Sequence, residues 1–169
     1  SKVEIDESFS ACLGALKKKR HKVVSLDAKG CFVEELRKLK PIVVFNALHG
    51  KFGEDGFVQS ILESLKIPYT HSGVLSSSLA MDKELSRLLF KKNNLRVPKY
   101  FLAQRGYEHN LNGKIKSKKI KFPIVIKPVN EGSSLGVYIC KNMIQFRNNY
   151  KKLTKEYDKI LVEEYIPGK

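Results

Sequence analysis

The sequence predicts an α/β protein: a parallel-sheet domain over residues 1–80, then a smaller α+β unit over residues 81–169. Two observations carry this reading. Before residue 66, helical patterns alternate with short β-branched runs, Lys22-Val-Val-Ser-Leu26 and Ile42-Val-Val-Phe45, the signature of strands joined by helical crossovers. After residue 120, a proline-bounded apolar run, Ile124-Val-Ile126, passes through Lys127 and a Gly/Ser loop into a second run, Val137-Tyr-Ile-Cys140. That is a strand, a loop and a strand.

Residues 6–19 predict the first helix, with Phe9, Cys12, Leu13 and Leu16 on one face and Asp6 or Ser8 as the cap. A strand over residues 22–26, a short helix over 33–39 and a buried strand over 42–45 follow. The next stretch, Asn46-Ala-Leu-His-Gly-Lys-Phe-Gly-Glu-Asp-Gly56, leads into an amphipathic helix over residues 57–66. A Gly-rich loop at the carboxyl end of a parallel strand is where α/β sheets take ligands. His49 in that loop reads as either structural or functional, and Glu54 and Asp55 suit the positive end of the following helix.

A turn-rich connection, Ile67-Pro-Tyr-Thr-His-Ser-Gly73, precedes Val74-Leu-Ser-Ser-Ser-Leu-Ala-Met-Asp-Lys83 and a helix expected to turn Leu85, Leu88 and Leu89 inward. The domain boundary is expected between residues 78 and 83. Asn93-Asn94 ends the helix, and Val97-Pro98 opens an extended segment over residues 99–102. The Lys-rich stretch over residues 105–121 reads as a mobile helix or surface loop. A helix over residues 143–157, with Ile144, Tyr150 and Leu153 as its stripe, and a strand over residues 160–162 complete the chain.

Lys127 with Asn130-Glu-Gly-Ser-Ser-Leu-Gly136 suits the holding of phosphate. Glycines let the backbone approach an anion, and the lysine adds a compact positive charge. The stretch is not a Walker A loop, because the lysine precedes the glycines, and no G-x-G-x-x-G is present. An ordinary hairpin turn is the alternative for Gly-Ser-Ser by itself.

The net charge of +15 raises nucleic-acid binding as a function. Lysine supplies most of that charge, there is no tryptophan, and no aromatic stripe accompanies the lysines, so the expectation is no nucleic-acid partner. Mean hydropathy is −0.30, and no apolar run approaches the ~18 residues that span a bilayer. Cys12, Cys31 and Cys140 are odd in number and widely spaced. They read as reduced core residues of a cytoplasmic protein.

Four motifs carry a family resemblance. Lys127-Pro-x-x-Glu-Gly-Ser-Ser-x-Gly-Val137 resembles the phosphate-covering hairpin of the ATP-grasp ligases, most closely the D-alanine–D-alanine ligases. His49-Gly-x-x-Gly-Glu-Asp-Gly56 is similar to that family's substrate-side loop. Pro68-Tyr-Thr-x-Ser-Gly73 with Ala80-Met-Asp-Lys83 follows the same pattern, and Glu163-Glu-Tyr-Ile166 resembles the hinge that receives adenine. The resemblance implies a pre-ATP-grasp, Rossmann-like N-terminal domain followed by the first α+β half of an ATP-grasp unit. It implies an enzyme that couples two D-alanines for peptidoglycan synthesis. ATP phosphorylates the first carboxylate, the second amine attacks the acylphosphate, and Mg²⁺ screens the phosphate charge. A homodimer is also implied.

Residue by residue, the resemblance puts His49 beside D-alanine and Lys83 and Lys127 on the ATP phosphates. Glu131, Gly132, Ser133 and Ser134 form the covering loop, Ser133 orienting it and Ser134 offering its backbone N–H. Glu163, Glu164, Tyr165 and Ile166 surround adenine, with Phe122, Ile124 and Ile126 as walls. Glu4 takes the place of the glutamate that holds the substrate amine. The family's opening strand has no match, and neither do the metal-binding Asp, Glu and Asn of its second ATP-grasp half. The chain is therefore expected to be a fragment that does not catalyse alone. The alternatives are another ATP-grasp carboxylate–amine ligase and a basic nucleic-acid-binding module.

Overall fold

Two apolar cores organise the chain, one on each side of a pair of short helices. The computed structural model describes residues 7–168. In chain order the elements are α1 (Glu7–Lys18), α2 (Phe32–Leu39), α3 (Phe57–Ser64), α4 (Val74–Met81), α5 (Lys83–Lys92), β1 (Tyr100–Gln104), α6 (Leu111–Ser117), β2 (Ile124–Pro128), β3 (Tyr138–Cys140), α7 (Met143–Leu153) and β4 (Lys159–Glu164). Glu4 and Asp6 lie outside the described residues, and Ser8 falls inside α1, not at its cap.

The first core joins Phe32 and Leu36 of α2 to Val58 and Leu62 of α3. Each pair is spaced i, i+4, which places both residues on one helix face. Phe52, from the loop before α3, stands edge-on to Phe32 with ring centres 5.8 Å apart. Among the described residues the two strands expected here do not form: residues 22–26 find no strand pairing there, and Ile42 is 91% exposed. A strand exists only through its neighbours' hydrogen bonds, and residues 42–45 find one isolated bridge among the described residues. Val44 bridges Tyr69 in parallel, its N–H donating to Pro68 O at 2.8 Å and its carbonyl accepting from Thr70 N at 3.1 Å. The α/β class holds, with its parallel part reduced to this bridge among the described residues.

The second core is built on a four-stranded sheet of order β1-β4-β2-β3, antiparallel throughout. Period-2 alternation splits it into two faces. Phe101, Ala103, Ile124, Ile126, Cys140, Ile160 and Val162 face α6 and α7 and are buried against them. Lys127 and Glu163 belong to the opposite face, and the register aligns Lys127 with Leu161 and Val125 with Glu163.

Several expectations change here. Of the two readings of residues 105–121, the helix holds as α6 and the loose surface loop does not: Leu111, Ile115 and Ile120 are buried in the core. Lysines dominate the composition of that stretch, but Leu111 and Ile115, one turn apart on α6, and Ile120 just beyond it suffice to anchor it. The α7 stripe is Phe146, Tyr150 and Leu153, while Ile144 is 73% exposed. Leu85, Leu88 and Leu89 of α5 are exposed, not inward, since α5 turns Lys83 and Arg87 toward the sheet. Ile124 and Ile126 cannot wall a ligand beside Lys127, because alternation sends them to the helix-covered face. Of the cysteines only Cys140 is a core residue; Cys12 is half-buried, Cys31 is exposed, and all three are free thiols.

Candidate phosphate cradle and adjoining loop

Lys83 is the first residue of α5. The preceding Asp82 caps the helix, its Oδ1 accepting from Glu84 N at 2.9 Å and Leu85 N at 3.0 Å. Lys83 N–H donates to Val129 O at 3.2 Å, and its Nζ donates to Val129 O at 3.3 Å and to Glu131 O. The start of α5 is thus sewn to the segment that leaves β2. Burial pushes the Lys83 ammonium below its ordinary pKa, and the nearby Lys127 and Arg87 cations add to the shift.

Lys127, one residue from the end of β2, pairs through Nζ with Glu163 Oε1. Arg87 pairs with the other oxygen, Glu163 Oε2. Glu163 is only 6% exposed by side chain, and two cations flank its carboxylate. Arg87 and Lys127 thus share one buried carboxylate, with Lys83 close enough to feel both cations, a cluster of net positive charge. Arg87 was missed in the sequence, although its i+4 spacing from Lys83 puts both on one helix face.

The Gly/Ser loop turns tightly beside this cluster. Ser133 and Ser134 take φ of 48° and 60° and Gly136 takes 67°. Leu135 N–H donates to Gly132 O at 3.0 Å. At Gly136 only glycine fits, since a Cβ would come within 2.9 Å of Pro128 Cγ at a φ that side chains avoid. Gly132 abuts the other loop: a Cβ there would lie 3.0 Å from Gly50 Cα and 3.3 Å from Glu54 Oε2. Lys51 closes the same junction, its Nζ 2.7 Å from Glu131 Oε1.

The second loop, which bears His49, is braced from within. The Gly53 carbonyl accepts from Asn46 Nδ2 at 2.8 Å and from Gln59 Nε2 at 2.9 Å, and both side chains are buried. Asp55 accepts from Phe52 N and Phe57 N, fixing the entry to α3 as expected. Glu54 does not cap α3; it reaches back to accept from Gly50 N at 2.6 Å. Ser78 Oγ donates to Asp55 O at 2.7 Å, tying the loop to α4. His49 itself is exposed on this loop.

Lys83, Lys127, Glu131, Glu163 and Gly132 therefore meet in one place, with the His49 loop against its edge. Ser133 and Ser134 are exposed at the loop tip. Glu164, Tyr165 and Ile166 run on directly from Glu163. Glu164 N–H donates to Lys99 O at 3.0 Å and Tyr165 N–H to Pro123 O at 3.3 Å, so these two donors are engaged within the fold. Converging lysines under a glycine-bearing loop fit a polyphosphate. Among the described residues no group of three His, Cys, Asp or Glu side chains could hold a metal ion.

Comparison with known proteins agrees with this architecture. A family model described as D-ala D-ala ligase N-terminus matches residues 6–72, and one described as D-ala D-ala ligase C-terminus matches residues 89–169. A D-alanine--D-alanine ligase of Pelagibacter ubique is 48% identical over 156 residues, 90% of this chain and 49% of that protein. One from Wolbachia pipientis is 41% identical, across 95% of this chain and 50% of the relative. Among solved structures, the D-alanine--D-alanine ligase of Bacillus anthracis superposes with a TM-score of 0.79 at 29% identity, covering 95% of this chain and 52% of that one. The same enzyme complexed with ATP gives a TM-score of 0.77 at 28% identity, covering 95% of this chain and 53% of that one. The fold is that of a partial ATP-grasp protein. More narrowly, the chain belongs to the D-alanine–D-alanine ligase family. It spans about half the length of the curated relatives it matches.

Proposed function

We propose that this chain forms the phosphate-binding side and the adjoining substrate-side loop of an enzyme that joins two D-alanines at the expense of ATP. The observation that carries the reading is the convergence of Lys83 and Lys127 beneath the Gly132–Gly136 loop, with that loop in contact with the His49 loop. Lys83 and Lys127 hold the ATP phosphates. Glu131, Gly132, Ser133 and Ser134 cover them, Ser133 orienting the loop and the Ser134 N–H facing the phosphoryl group that moves. Glu164, Tyr165 and Ile166 frame adenine, and the Glu163 carboxylate serves the site through Lys127. His49 lies on the D-alanine side, and Glu4 is the proposed partner of the substrate amine. ATP supplies the phosphoryl group that activates a carboxylate; this chain positions it and neutralises its charge. A division near residue 80 is supported by the two separate cores and by the unmatched residues 73–88 between the two family models. Homodimerisation and a cytoplasmic location belong to the same reading, the latter supported by the three free thiols.

The test is made on the complete gene product: D-alanine-dependent phosphate release from ATP, with D-alanyl-D-alanine as the product. Ser133→Ala is expected to lower turnover and D-alanine affinity more than Ser134→Ala, because a backbone donor survives the change and a side-chain hydroxyl does not. Both serines are exposed, so both variants should keep wild-type stability. Equal, wild-type turnover in the two would make the hairpin a structural turn.

A proton linkage follows from Lys83. Its pKa is lowered in the free protein, and a bound phosphate favours the charged ammonium and raises it again. Between those two values ATP binding takes up a proton, and affinity falls as pH rises, starting below the ordinary lysine value of about 10.4. Calorimetry over a series of pH values below the ordinary lysine pKa, in two buffers of different ionisation enthalpy, should detect the uptake. Lys83→Ala should abolish it; an uptake that persists in that variant assigns the proton elsewhere.

A further inference from the structure

Arg87 stands outside every motif described above, yet it occupies the middle of the cationic cluster. It lies one helical turn after Lys83 on α5, so both side chains leave the same face. Its Nη2 donates to Glu163 Oε2 while Lys127 Nζ takes Oε1. Its Nη1 donates to the Lys83 carbonyl at 3.0 Å. The guanidinium carbon is 5.6 Å from the centre of the Tyr100 ring, and Tyr100 is the register partner of Glu163 on the neighbouring strand. The side chain is 12% exposed. Its Nε is buried with no hydrogen-bond partner among the described residues, so the two terminal nitrogens and the ring fix its orientation.

Opposite Lys127 alone, Glu163 would form a neutral pair that engages the ammonium. With Arg87 on the second oxygen, the three-residue unit keeps one net positive charge. We infer that Arg87 is a positioning residue of the nucleotide site: it occupies one oxygen of Glu163 and braces the Lys83 carbonyl, so that Lys127 and Lys83 face a polyphosphate together. The inference rests on the nucleotide-site reading given above. Lysine at this position keeps the charge but lacks the second arm that spans Glu163 and the Lys83 carbonyl.

The experiment measures ATP affinity by calorimetry and steady-state kinetics in the complete gene product, for wild type, Arg87→Met, Arg87→Lys, Glu163→Gln and the Arg87→Met/Glu163→Gln double variant. Arg87→Met should weaken ATP binding about 10- to 100-fold, the loss expected when Glu163 holds Lys127 back from its charge-assisted contact with phosphate. Arg87→Lys should weaken it about 3- to 10-fold, and the KM for D-alanine should move by less than about twofold in either variant. In the Glu163→Gln background, Arg87→Met should cost less than about threefold, because the carboxylate it acts through is gone. Wild-type ATP affinity in Arg87→Met overturns the inference while leaving the nucleotide site standing. An undiminished loss in the Glu163→Gln background also overturns it. A wild-type protein that does not bind ATP removes both. Should Arg87→Met fail to fold, Arg87→Lys carries the test, and wild-type affinity there overturns the inference.

Discussion

Lys127→Ala should weaken ATP binding by the complete gene product about 10- to 100-fold, since a charge-assisted contact of ~1.5–3 kcal/mol disappears. The fold should tolerate the change. Glu163 keeps Arg87 as a partner, so the buried carboxylate is not stranded, and the Lys127 side chain is already 20% exposed. Titration calorimetry with ATP measures the loss, and circular dichroism checks that the protein remains folded. Wild-type affinity in a folded Lys127→Ala protein would remove the lysine from the phosphate site. Lys83→Ala should act in the same direction, because its ammonium approaches the same loop from α5.

Phe146→Ala should be the most damaging single truncation in the second core, lowering stability by about 3–5 kcal/mol. Phe146 is fully buried, and its ring stacks on Tyr150 with centres 6.1 Å apart. Few nearby groups can collapse into the space, because Ile124, Ile126 and Cys140 are held by the sheet. Ile144→Ala, two residues earlier and solvent-facing, should change stability by less than about 0.5 kcal/mol. Urea unfolding of the two variants side by side separates them. Similar midpoints would mean that α7 packs through a different face.

The contrast between Ile144 and Phe146 shows where the sequence was legible. The strand, lysine and Gly/Ser hairpin could be read directly, because prolines and glycines punctuate it and each has a local mechanical reason. The loop before α3 was legible for the same reason. What sequence could not show was which apolar run finds a partner. Ile42-Val-Val-Phe45 has the composition of a buried strand, but burial depends on neighbours contributed by distant chain, and among the described residues only Tyr69 bridges it. The leucines of α5 follow a helical stripe that faces solvent, because Lys83 and Arg87 claim the side toward the sheet. Lysine-rich composition hid how firmly α6 is anchored, by its own Leu111 and Ile115 and by Ile120 just beyond it. The walls assigned to Ile124 and Ile126 were avoidable: alternation alone separates them from Lys127.

Gly50 and Gly132 form one steric unit made by two distant parts of the chain, and its demands are unequal. A Cβ on Gly50 would meet nothing within 4 Å, so that position needs glycine for its φ of 69° alone. Gly132 needs it for space, because Gly50 Cα stands 3.0 Å from where its Cβ would be. Mutational tolerance at the two sites is therefore ordered. A side chain at residue 132 asks the 46–56 loop to give way slightly at Gly50, whereas residue 50 can be sampled by asparagine, the side chain that best tolerates left-handed backbone. The junction makes the evolutionary history of the phosphate hairpin conditional on that of a loop some eighty residues before it.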